Sequence, residues 1–279
     1  MCLVALAVGA SGRFPFVLAS NRDEFYDRDA APLDWWTPEG GSVELLGGRD
    51  LRAGGTWLGL SAAGRLAFVT NVRDPSSLDP TARSRGELVT RWIEGDPAAD
   101  ARGWWSGFDP SRYNGFNLIA GDAARGELFW AGRDRHGAHG PVPLARGIHG
   151  VSNAALDTPW PKVKRLKSRL SEAMSSAVEL DALAASLFEA LADARIAPDA
   201  ELPRTGVPQE VERWLSAAFI RSPDGRYGTR CSTLVITERG ADGLATHVIE
   251  RSHAPGTPAE RHMTIGAWPE PQAGAERRP

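Results

Sequence analysis

A chain of 279 residues, 42% hydrophobic and 24% charged, is long enough to bury a core unaided and ordinary for a globular protein. A formal net charge of −3 excludes a global basic field for nucleic acid or anionic membranes, and two cysteines without a C-x-x-C pair provide neither a disulfide framework nor a zinc-ligand spacing. The apolar run "LVALAV" lacks a basic flank and is too short for a signal-peptide core or a membrane span, so a cytoplasmic chain without a transmembrane segment is expected.

Residues 2–8 and 14–20 are apolar runs flanking "GASGR" (9–13) and read as a hairpin. Both parities are apolar, Leu3, Ala5 and Ala7 against Val4, Leu6 and Val8, as in a strand covered on both faces. A symmetric turn centred on Ser11 sets Cys2 opposite Ser20. Further hairpins are expected at 55–60 with 66–71, 116–121 with 127–132, and 232–238 with 244–250. "GGRD" (47–50) and "AGGTWLG" (53–59) read as turns, because neither continues into a phosphate-binding pattern. Helices are expected at 86–95, from Pro159 with Thr158 as its cap, after Asp181 with Leu183, Leu187 and Leu191 on one face, and at 209–219. Hairpins interrupted by helical blocks indicate an α+β fold of antiparallel sheets with helices outside. No linker divides the chain, so one domain over 1–268 is expected, with a loop at "HAPGTPAE" (253–260) and a frayed tail over 269–279.

The first hairpin also gathers chemistry. Its pairing brings Cys2 and the run Asn21-Arg22-Asp23-Glu24 to one end of the sheet. Removal of Met1 would leave Cys2 with a free α-amino group of pKa about 7.7–8.0 beside a thiol of pKa about 8.5, so base and nucleophile share one residue. Arg22 would lower the thiol and hold an anionic substrate group, Asp23 would hold the ammonium, and Asn21 would donate to a developing oxyanion. Side chains alternate along a strand, so Arg22 and Asp23 reach Cys2 together only where the strand ends or bulges. The alternative is an inert, buried Cys2 beside a surface ion pair.

The motifs "LASNRDEFYDR" (18–28), "GGTWLG" (54–59), "TNVRDP" (70–75), "RGELV" (85–89), "YNGFNLIAGD" (113–122), "GVSNAALDTPWPKV" (150–163) and "YGTRCSTLV" (227–235), after the opening Met-Cys, run in order along about 1–250. Together they resemble the NRDE-motif family, that of the transport-and-Golgi-organisation protein, found in bacteria and eukaryotes. The resemblance implies an N-terminal-nucleophile hydrolase-like αββα sandwich, four layers with two antiparallel sheets between helices, and Cys2 in the nucleophile position. By similarity to cysteine amidases of the choloylglycine hydrolase type, Arg22 or Asp23 would neighbour Cys2. Asn71 and Asn153 would supply oxyanion or substrate donors, and Arg230 a polar wall. Members are associated with haem trafficking, acyl-CoA or lipid binding, and Golgi organisation. Arginine far outnumbers lysine, the mark of a GC-rich, bacterial-looking genome, in which a Golgi role does not apply.

Among the remaining features, Lys162, Arg165 and Arg169 share one face of a basic helix, which either meets acyl-CoA phosphates or haem propionates or is simply solvated. Glu24 is a further candidate for positioning a ligand's charged group. The six histidines include one close pair, His136 and His139, in a glycine-rich stretch that suits surface better than metal, and no metal site is expected. Trp35-Trp36 and Trp104-Trp105 either line an apolar cleft or pack. Two functions follow: a hydrolase of non-peptide amide or related acyl bonds with Cys2 attacking and no required cofactor, or a non-catalytic carrier of haem or acyl-CoA in the same cleft. Small-molecule partners are expected, and no nucleic acid.

Overall fold

The computed structural model describes residues 2–241, 243–253 and 259–266. Met1, residues 254–258 of the expected proline-bearing loop and the expected tail 269–279 lie outside them. The opening residues form β1 (Cys2–Val8) and β2 (Phe16–Phe25), antiparallel, with both faces of β1 buried as its double apolar parity requires. The register differs from the symmetric turn: Cys2 faces Arg22, and Val4 faces Ser20. The connection is longer because Phe14 turns into the core, the Gly9 N–H donates to the Pro15 carbonyl (2.7 Å), and pairing resumes only at Phe16.

The chain continues through β3 (Ala30–Trp36), β4 (Leu45–Asp50), β5 (Leu58–Ser61), β6 (Arg65–Asn71), α1 (Gly86–Ile93), α2 (Ala101–Ser106), β7 (Phe116–Asp122), β8 (Glu127–Asp134), β9 (Gly137–Pro143) and β10 (Gly147–Val151). It closes with α3 (Pro161–Ser176), α4 (Leu180–Leu191), α5 (Gln209–Leu215), β11 (Tyr227–Gly240), β12 (Gly243–Ser252) and β13 (Glu260–Gly266). One sheet is six-stranded, β10-β1-β2-β11-β12-β13; the other is seven-stranded, β3 to β9 in chain order. All their pairings are antiparallel.

Three apolar layers separate four structural ones. α3 and α4 cover the outer face of the first sheet, where Leu166, Leu170, Leu183 and Leu187 meet Leu3, Ala5, Ala19 and Leu234. Between the sheets, Val4, Leu6 and Leu18 pack on Leu58, Leu60, Phe68 and Ile119. On the far face of the second sheet, Leu88, Val89 and Trp92 of α1 pack against Val69, Leu118 and Phe129. Each such leucine stabilises the layers by roughly 1.5–3 kcal/mol. This is the αββα sandwich.

Several local expectations are corrected. "GGRD" is the strand β4, not a turn: a Cβ on Gly47 would lie 2.4 Å from the Leu58 carbonyl, and one on Gly48 2.3 Å from the Trp57 ring, so the glycines permit close packing within the sheet. α3 starts at Pro161 behind Trp160, because Pro159 still belongs to the extended approach. α4 starts at Leu180 behind Glu179, with Asp181 in its first turn. Trp104 and Trp105 pack in the outer apolar layer instead of lining a cleft.

Candidate active site

Cys2 begins β1, and β1 covers β2 only as far as Arg22. Residues 23–25 of β2 therefore project beyond β1, and a cavity of about 320 Å³ opens at this end. Cys2, Arg22, Asp23, Glu24 and Asn71 all line it. Arg22 and Asp23 keep the alternation of a strand yet share the cavity because the neighbouring strand has ended. A bulge does occur beside them, in β11, where the pairing with β2 slips between Thr229 and Cys231.

Arg22 lies between the two sheets. Its guanidinium stacks 4.3 Å from the Trp57 ring centroid and approaches Asp50 at 3.5 Å; its Nη1 has no hydrogen-bond partner among the described residues. Arg28 holds Asp50 more tightly (2.7 Å) and lies 4.0 Å from Glu24. Asp23 is fully enclosed, accepts from Thr229 Oγ1 (2.7 Å), and its carbonyl accepts from the Tyr227 hydroxyl (2.9 Å). Burial raises the Asp23 carboxyl above the usual range, against the pull of Lys162. Burial likewise pushes up the Cys2 thiol. A thiol so placed needs an adjacent base before it can attack.

Asn71, at the end of β6, lines the cavity, and its carbonyl accepts from Asn153 Nδ2 (2.9 Å). Asn153 also accepts from Ser152 Oγ (3.0 Å), which in turn reaches the Cys2 carbonyl (3.0 Å), and from Arg73 (3.4 Å). Asn153 thus braces Asn71 and lines a neighbouring cavity of about 230 Å³ instead of the one at Cys2.

Besides Asn153, four expected site residues sit outside this cavity: Asn21, Arg230, Arg165 and Lys162. Asn21 faces the helices: its Nδ2 donates to the Leu191 (2.9 Å) and Ala218 (2.8 Å) carbonyls, and Oδ1 accepts from Ser232 (2.6 Å). Its amide hydrogens are spent, so it ties sheet to helix layer and donates nothing to Cys2's cavity. Arg230 donates to the Phe25 (3.0 Å) and Tyr26 (2.6 Å) carbonyls and lines a different cavity, with Cys231 and Glu250. Arg165 is tied to Asp193 (3.2 Å) and the Arg195 carbonyl (2.8 Å) on the outer surface. Lys162 does not share that surface. It is 1% exposed, and its Nζ makes no hydrogen bond among the described residues.

Sequence reasoning missed Arg28, Asp50, Trp57, Arg73 and Arg85. Arg73 and Glu212 form a buried ion pair beside Asn153. Arg83 and Arg85 join Arg22 and Arg28 on the cavity wall. All but Asp50, Arg83 and Arg73's partner Glu212 lie in the motif segments 18–28, 54–59, 70–75 and 85–89, which was the available signal. Among the described residues there is no cluster of metal-ligating side chains, no histidine lines this cavity, and no helix is long and apolar enough to cross a membrane.

A family model described as Transport and Golgi organisation 2 matches residues 1–255. The Transport and Golgi organization protein 2 homolog of Bos taurus is 38% identical over 253 residues, spanning 86% of this chain and 87% of its own. Among solved structures, the Caenorhabditis elegans ortholog of N-acylethanolamine-hydrolyzing acid amidase superposes with a TM-score of 0.52 at 13% identity, over 84% of this chain and 92% of that one. A variant of the conjugated bile acid hydrolase from Clostridium perfringens gives 0.51 at 6% identity, over 95% and 92%. At such identities the likeness is one of fold, that of the N-terminal-nucleophile hydrolases.

Proposed function

The chain belongs to the Transport and Golgi organisation 2 family, and within it we propose that this protein is a cysteine hydrolase of non-peptide amide or related acyl bonds, with Cys2 as N-terminal nucleophile. The observation that carries this reading is the seating of Cys2 at the open end of β1, in one cavity with Asp23 and Asn71. Once Met1 is removed, the Cys2 α-amine takes the thiol proton and the thiolate attacks the acyl carbon. Asn71 faces the oxygen on which negative charge develops. The C–N bond then breaks, the departing amine takes the proton from the α-ammonium, and water attacks the thioester with the α-amine again as base. Acid is released and the thiol restored.

Arg22, Arg28, Arg83 and Arg85 on the wall favour acyl compounds that carry an anionic group. The same arginines support a second reading, a carrier of an anionic acyl ligand such as acyl-CoA. Haem is less well served, since no histidine lines the cavity among the described residues. A panel of acyl amides with and without an anionic group separates the readings. Turnover that disappears in Cys2→Ala supports the hydrolase; stoichiometric acyl-CoA binding that survives Cys2→Ala, with no turnover in either protein, contradicts it.

A further inference from the structure

The cavity of about 230 Å³ beside Asn153 shares no lining residue with the Cys2 cavity. Buried Phe116 and Asn117 of β7 line it from within, together with Trp130 of β8 and Trp160 at the entry to α3. Both tryptophans are held in place. Trp130 Nε1 donates to Asn117 Oδ1 (3.1 Å), and its ring stacks on the His139 imidazole with centroids 5.9 Å apart. The Arg73 guanidinium lies 5.0 Å from the Trp160 ring centroid. Arg133, Arg135 and Arg204 join the lining, against the carboxylates Asp74 and Asp134. The carboxylates are committed to local partners: Asp74 accepts from the Ser76 N–H (3.1 Å) and Ser77 Oγ (3.0 Å), and Asp134 from the His136 N–H (2.7 Å), with His139 Nε2 at 3.1 Å. Arg133 donates to the neutral Tyr113 carbonyl (2.8 Å), Arg135 to the His136 ring (3.2 Å), and Arg204 makes no hydrogen bond or ion pair among the described residues. With Arg73 matched by Glu212, three guanidiniums against two carboxylates leave the cavity positive.

The neutral polar side chains that line the cavity are engaged within the fold. Asn117 gives its Nδ2 to Thr70 Oγ1 (3.0 Å) and the Ala154 carbonyl (2.8 Å), Asn153 is bonded to Asn71, Ser152 and Arg73, and the Thr205 hydroxyl donates to Glu212 (2.6 Å). Two things remain for a guest: aromatic faces and positive charge. A ring gains from the first by stacking or edge contact, and a carboxylate from the second by charge-assisted hydrogen bonds. The volume lies below the roughly 300–1,000 Å³ of sites for drug-sized ligands, so the guest is small. We propose that this cavity is a second binding site, for a small aromatic acid whose ring lies against Trp130 and Trp160 and whose carboxylate is held by Arg133 and Arg204. The site stands whether or not Cys2 turns a substrate over.

The test is a titration of benzoate into the full chain carrying ¹³C-labelled histidine, at a fixed pH of about 8 where ordinary imidazoles are neutral. The chain has six histidines, and single His136→Gln and His139→Gln replacements assign the two that line this cavity. Saturable movement of these two signals is expected, with the other four unmoved. Benzamide, which lacks the charge, should bind about ten-fold more weakly or worse. Cyclohexanecarboxylate, which keeps the charge without an aromatic face, should bind about two- to ten-fold more weakly. Arg204→Gln, on the exposed rim, should weaken benzoate about two- to five-fold. Arg83→Gln makes the same charge change on the wall of the Cys2 cavity and should leave benzoate binding as it is. Three results would each overturn the proposal: no saturable movement of either histidine at benzoate concentrations well above the millimolar range, equal affinity for benzoate and cyclohexanecarboxylate, or an equal loss in Arg204→Gln and Arg83→Gln.

Discussion

Asn21 gives the motif run its first letter, and replacing it with alanine separates structural from chemical roles. In the native fold its Nδ2 serves two buried carbonyls, Leu191 at 2.9 Å and Ala218 at 2.8 Å, and its Oδ1 accepts from Ser232. Asn21→Ala leaves both carbonyls unsatisfied, at about 1–3 kcal/mol each. Ser232 retains His253 (2.9 Å) and adds little. The expected loss is therefore about 4 kcal/mol, a large share of the roughly 5–15 kcal/mol that holds a domain folded. Equilibrium unfolding in urea measures it, with an unchanged slope as the control that the transition is the same. In the folded fraction, alkylation of Cys2 should keep its wild-type rate, because Asn21 faces the helices. A loss below about 1 kcal/mol, or a Cys2 that reacts many-fold more slowly at equal folding, would refute this placement.

Arg73→Met should cost about 3–5 kcal/mol by leaving Glu212 buried and uncompensated, while Arg73→Met with Glu212→Leu should recover most of it; urea unfolding of both variants decides. Gly47→Ala forces a Cβ to 2.4 Å from the Leu58 carbonyl and should cost roughly 1–3 kcal/mol, read as a drop in thermal midpoint. Lys162 predicts a pH slope. The unfolded chain holds its proton up to about pH 10.4, whereas the folded chain releases it near 7. Between those values the unfolded state binds more protons, so stability rises with pH by up to about 1.4 kcal/mol per unit relative to Lys162→Met. Unfolding of both proteins at about pH 7 and pH 9 checks the sign; parallel behaviour contradicts it.

The layered fold was readable because its signals are local. Double apolar parity in residues 2–8 places β1 in the middle of a sandwich, and the spacing of Leu183, Leu187 and Leu191 identifies the face of α4 on the sheet. β9 escaped because Gly137–Pro143 is exposed and shows no apolar alternation, and β4 because its glycines serve packing instead of turning. At the site, the meeting of Cys2 with Arg22 and Asp23 followed from the hairpin alone. Asn21 was misplaced although parity suffices: Cys2 opposite Ser20 or opposite Arg22 equally puts Asn21 on the other face. Lys162 was hidden for a different reason. Helical periodicity groups it with Arg165 and Arg169, and only the start of α3 at Pro161, against the sheet, buries the first turn. Arg28, Asp50 and Arg85 converge from separate segments, a contact that no local pattern reports.

Hydrolysis by the proposed route requires Cys2 to be a free N-terminal nucleophile. The most direct measurement is the intact mass of the chain expressed from its own start codon, before and after brief exposure to a thiol-reactive probe. Loss of one methionine and a single fast adduct on Cys2, with Cys231 untouched because burial holds its thiol well above the usual range, is the predicted result. Retained Met1, or labelling of Cys231 as fast as Cys2, would contradict it.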